Sequence, residues 1–146
     1  MSMFLSHAPT PVRWSTFAWL AAIGLGIIET ILLLTTTSPD TGGAITMIAI
    51  RTIVSVVMTF VILRMARSNN WARIVLAILL GGLGLFSLVA DPIEWLMQGH
   101  SIGQTLAAIT TNPVFSGVRT LHIIAVLTGL VTMFLPSAAT YFKKKA

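Results

Sequence analysis

Four apolar runs, each long enough to cross a bilayer, are joined by connections whose charges alternate in sign along the chain, and this pattern leaves few folds open. Crossing about 30 Å of hydrocarbon takes on the order of 20 residues at about 1.5 Å of helical rise each. Residues 14–34, 44–63, 74–90 and 118–142 meet that length. Backbone polar groups inside lipid must be satisfied within the segment itself, so each run is expected to be a helix. Seven of the nine basic residues lie at alternate connections: Arg13 before the first run, Arg64, Arg67 and Arg73 around the second turn, and Lys143, Lys144 and Lys145 after the fourth. Asp40, Asp91 and Glu94 lie at the opposite ends. Lys and Arg in short loops mark the cytoplasmic side. The expectation is an all-α polytopic membrane protein: an antiparallel four-helix transmembrane bundle, one domain over residues 1–146, in the plasma membrane with both termini cytoplasmic.

Composition agrees with a lipid environment. Only 9% of residues are charged, against roughly 25% in soluble domains, and the mean hydropathy is +0.91. A net charge of +5 could suggest nucleic acid, but the basic residues flank apolar runs and form no phosphate-tracking stripe. The partners expected are membrane lipids and other integral membrane subunits, not nucleic acid. Cysteine is absent, which removes thiol nucleophiles, disulfides and Cys-based metal or iron-sulfur sites. The first run exceeds the roughly 7–15 residues of a signal-peptide core and no small-residue cleavage site follows it, so it should persist as a helix.

The connections are short except one. Residues 37–43 and 67–70 are rich in chain-reversing residues, so successive spans are expected to be antiparallel neighbours. Trp14, Trp71 and Tyr141 mark one membrane interface and Trp95 the other. The outer loop, 91–117, opens on Asp91-Pro92, a cap-and-proline signal. It continues with an amphipathic pattern and is expected to carry a short helix on the outer surface. Asn112-Pro113 repeats the cap signal before the fourth span, and Pro136 should kink or end that span locally. Small residues predict the packing faces: Ala18, Ala22 and Gly26 lead to Glu29, and Ala77, Gly81, Gly84 and Ser87 lead to Asp91.

Two ionisable residues lie inside spans. Glu29 should sit about 8 Å and Arg51 about 10 Å from the same membrane face. A lone charge at such depth costs at least about 2.5–3.5 kcal/mol, so a buried Glu29–Arg51 ion pair is expected. Arg119 and His122, with Asp91 and Glu94 arriving from the third span, would complete a polar cluster beneath the outer loop. Two readings of it stand: a charge-balanced network fixing helix order, or a site for a polar head group, a quinone or a proton-carrying step. Haem is disfavoured because only His122 lies in a span, with His7 and His100 outside. His100, His122, Asp91 and Glu94 have no recognised metal-ligand spacing, and no metal or other cofactor is expected. Nucleophile elbow, P-loop, dinucleotide fingerprint and HExxH are all missing, so no catalytic residue is proposed.

Pro11-Val12-Arg13 with the following 17–22, Trp71-Ala72-Arg73, and the closing Leu135-Pro136-Ser137-Ala138-Ala139-Thr140-Tyr141-Phe142 together resemble a group of uncharacterised small four-helix transmembrane proteins of actinobacteria. Their mark is a Leu-Pro-Ser-Ala-x-x-Tyr-Phe stretch followed by basic residues, and the resemblance implies an actinobacterial plasma membrane. Two functional classes follow from the residues. One is a non-catalytic accessory subunit stabilising a larger membrane complex, such as a lipid-transport or respiratory assembly. The other is a small-molecule or proton-handling protein that uses the buried charges.

Overall fold

The computed structural model describes residues 8–37, 40–103 and 112–143, with the side chains of Thr37, Asp91 and Pro92 excluded. The expectations placed on His7, Ser38-Pro39, the amphipathic stretch over 104–111, the Asp91 side chain, Lys144 and Lys145 lie outside the described residues.

Local chemistry sets the helix ends. Helix α1, Thr10–Thr37, starts where the amides of Val12 and Arg13 donate to Pro9 O at 3.0 and 3.2 Å. Asp40 caps α2, Thr41–Ala66, its Oδ2 accepting from Gly43 N at 3.2 Å. The chain then reverses through Ser68, whose φ of 67° is unusual for a residue with a Cβ. The strain is met by bonds from Ser68 N to Met65 O (2.9 Å) and from Asn69 N to Arg64 O (3.3 Å), which satisfy carbonyls at the end of α2. The third span comprises α3 (Asn70–Leu76), a π-helical segment π1 (Ala77–Gly84) and α4 (Leu85–Met97). Asn112 caps α5, Pro113–Phe134, with Oδ1 accepting from Phe115 N at 3.2 Å. A short α6, Pro136–Lys143, follows.

Four segments are long and apolar enough to cross a membrane: Thr10–Thr36, Thr41–Ala66, Asn70–Ala90 and Pro113–Phe134. The chain is an all-α, multi-pass membrane protein. Two boundaries differ from the sequence reading. Helix α4 runs through Asp91-Pro92 to Met97, so Asp91 does not cap a separate loop helix. An interior proline removes one backbone bond, a loss that helices in membranes accommodate. The fourth run is two helices rather than one over 118–142. Leu135 adopts ψ 148°, the extended conformation that a following proline imposes, and its carbonyl then accepts Ala139 N at 2.9 Å to start α6.

Close packing is concentrated between α1 and α5. A Cβ built on Gly129 would lie 2.9 Å from the Trp19 ring, so the indole rests directly on the α5 backbone. Ser15 Oγ donates to Gly129 O at 2.9 Å in the same seam. Ala18, Ala22 and Gly26 are buried on α1, on the same stretch of helix. On the third span Gly81 packs against α5, where a Cβ would meet Leu130 Cδ1 at 2.8 Å. Ala77 is partly buried, whereas Gly84 and Ser87 instead line a cleft. The expected ladder divides because π-helical hydrogen bonding (i→i+5) breaks the alignment of residues three and four apart.

The end bearing the basic residues is clamped. Tyr141 Oη donates to Ala66 O at 3.1 Å. The Arg73 guanidinium lies over Phe134 (4.3 Å) and Phe142 (5.1 Å), while Arg64 lies over Phe60 at 5.1 Å. Arg13 and Arg67 are exposed at this end, and Lys143 closes α6.

Replacing Gly129 by Val should lower unfolding stability in micelles by about 1–3 kcal/mol through overpacking, and adding Trp19→Leu should recover part of the loss. Detergent-titration unfolding measures both, and additive losses would contradict the contact.

Candidate functional site

Among the described residues, the one buried carboxylate is that of Glu29, which is only 3% exposed. Its partner is not the one sequence predicts. Glu29 Oε1 lies 3.2 Å from Nδ1 of His122 on α5, and among the described residues Glu29 forms no ion pair with Arg51. The expected Glu29–Arg51 pair is therefore corrected. The two residues were matched by depth along the membrane normal, but the face of α1 that carries Glu29 packs on α5. When Glu29 is ionised its carboxylate can only accept, and His122 Nδ1 is then the donor. In a neutral ring, Nε2 is then left with a free lone pair. His122 makes no other hydrogen bond among the described residues.

Arg51 nevertheless stays close. A methyl group built on Gly26 would lie 3.2 Å from His122 Cε1 and 3.5 Å from Arg51 Nη1. Glycine at this position lets a side chain from α2 and one from α5 converge on the α1 backbone. Arg51 makes no ion pair or hydrogen bond among the described residues.

His122 and Arg51 line a cleft of about 380 Å3 enclosed by all four spans. Its wall is otherwise apolar: Val54 and Met58 from α2, Leu79 and Leu83 from π1, Leu88 from α4. Only the Ser55 and Ser87 hydroxyls add polarity, and Ser87 Oγ already donates to Gly84 O at 2.7 Å. The cleft exists because α2 meets the third span chiefly through α3, next to the turn, and diverges from π1 and α4. A second groove, about 410 Å3, runs between α1 and α2 from Leu34 and Ile48 and shares Arg51 and Ser55 with the cleft.

The rest of the expected cluster is not assembled here. Glu94 is exposed and forms no ion pair among the described residues. Arg119 is partly buried with its guanidinium 4.9 Å from the Phe115 ring, and it does not line the cleft. His100 stacks on Trp95 at 3.9 Å, and its Nδ1 lies 3.0 Å from Trp95 O, a local arrangement away from the cleft. Sequence reasoning missed the leucine wall and Ser55, and read Ser87 as a packing residue. The run Gly81-Gly82-Leu83-Gly84 was the available sign that this helix departs from α geometry.

No protein-family model, curated protein or solved structure matches this chain.

A double-mutant cycle should show coupling of about 0.5–3 kcal/mol between Glu29→Gln and His122→Gln. Coupling between Glu29→Gln and Arg51→Gln should be smaller. Equal coupling for both pairs would contradict the assignment.

Proposed function

We propose that this protein is a non-catalytic binding protein of the plasma membrane that holds a membrane-soluble amphiphile in the cleft, its polar head against Arg51 and His122 and its apolar body against the leucine wall. The observation carrying this reading is the cleft composition: an open, largely apolar cleft with a few convergent polar groups, within the roughly 300–1,000 Å3 usual for small-molecule sites. Arg51 supports an anionic or strongly accepting head, because an arginine without a carboxylate partner inside a membrane span is costly. With the basic end cytoplasmic, as the distribution of Lys and Arg favours, both termini are inside and the head-binding pole lies in the outer half of the bilayer.

This reading takes the buried Glu29, the partly buried His122 and the exposed Arg51 as a site rather than as scaffold. The other reading, an accessory subunit of a larger membrane complex, would need a docking face distinct from the lipid-facing surface. Exposed apolar side chains such as Ile31, Val56, Ile78 and Leu127 occur on all four spans, as any lipid-facing bundle requires.

Native mass spectrometry of the chain purified in mild detergent tests the reading. Wild type should retain an amphiphile that Arg51→Gln loses and that Leu83→Trp, which fills the cleft, excludes. The same lipid complement on all three proteins would overturn it.

A further inference from the structure

The charges around the cleft narrow the chemistry of the ligand. We propose that it is a long-chain carboxylic acid that enters neutral, gives its proton to His122 Nε2 and remains as a carboxylate held by Arg51. This rests on the cleft reading above.

Charge balance carries the argument. Before binding, the groups facing His122 are Glu29 from α1, negative and hydrogen-bonded to Nδ1, and Arg51 from α2, positive and unpaired among the described residues. The third span brings Leu79, Leu83 and Leu88 to the cleft and no titratable group among its lining residues. The site is neutral overall, yet it holds one half-used carboxylate–imidazole pair and one uncompensated guanidinium. A carboxylic acid completes both. Its O–H bond breaks with the electron pair staying on oxygen, and the proton forms an N–H bond with the Nε2 lone pair. The products are an imidazolium against Glu29 and a carboxylate against Arg51, whose planar fork suits that group. Two ion pairs stand where there was one hydrogen bond, and net charge is unchanged.

Other amphiphiles fit less well. A phosphodiester lipid brings a permanent negative charge and no proton for Nε2, leaving one excess charge inside the span. A quinone leaves Arg51 uncompensated. The groove between α1 and α2, which shares Arg51 and Ser55, gives the head a route to Arg51 along the helix seam.

The full chain in detergent micelles, carrying nitrogen-labelled histidine, is titrated with carboxyl-labelled palmitic acid and, separately, with hexadecanol. The bound acid should show a carboxylate resonance, and one imidazole should gain a proton at Nε2. His122→Gln should remove that signal and weaken palmitic acid more than about tenfold. It should weaken hexadecanol by a clearly smaller factor, and the unfolding midpoint of the variant in the same micelles, measured alongside, separates loss of the proton acceptor from loss of fold. A bound acid that stays protonated, or equal losses for acid and alcohol, would overturn the proposal. If palmitic acid fails to bind while a phospholipid or quinone occupies the cleft, this proposal falls and the cleft reading stands. If no amphiphile binds, both fall.

Discussion

The hydrogen bond between Glu29 and His122 is the contact on which the arrangement depends. A carboxylate in hydrocarbon must find a partner or water, and here the partner comes from the last span rather than the next one. That choice joins α1 to α5. It requires the helices to approach closely, and small groups on the seam allow it: Ser15 bonded to Gly129, Trp19 lying flat on the same glycine, and Gly26 leaving room for the imidazole. This pairing adds a second polar register point to the one that Ser15 and Gly129 set farther along the seam.

The same choice determines what Arg51 can do. Had it met Glu29, the two charges would form a closed pair with nothing left to bind. Because His122 takes the carboxylate, the guanidinium is left at the junction of the cleft and the groove between α1 and α2. The clamp of Tyr141, Arg73, Phe134 and Phe142 holds the basic end together, and α2 diverges from π1 and α4 beyond it. The π-helical turn directs Leu79, Leu83 and Gly84 into the resulting space. π-helical turns concentrate at functional positions in helices, and this one forms the apolar wall of the proposed site.

Much of the fold was legible because lipid imposes simple rules. Apolar length set the number of spans, Asn112 announced the start of α5, and Pro136 announced the break before α6. The site was only partly legible. Depth along the membrane normal can be counted from residue numbers, and it put Glu29 and Arg51 level. Rotation about the helix axis cannot be counted so simply, and rotation decided that Glu29 meets His122. Pro92 misled for a related reason: cap-and-proline signals reflect a preference for helix starts, and a helix already established in a membrane span can carry a proline through. The split of the Gly81, Gly84 and Ser87 ladder followed from π geometry, which no spacing rule for α-helices anticipates.

The most direct test of the account is a solid-state NMR distance measurement on the chain reconstituted in liposomes, with the Glu29 carboxyl carbon and the histidine and arginine side-chain nitrogens labelled. Strong dipolar coupling from the Glu29 carboxyl to His122 Nδ1, as a 3.2 Å hydrogen bond to Oε1 requires, with weak coupling to the Arg51 guanidinium, is the predicted result. Strong coupling to Arg51 and none to His122 would contradict it, closing the charge pair and leaving the cleft without a cation to receive a ligand.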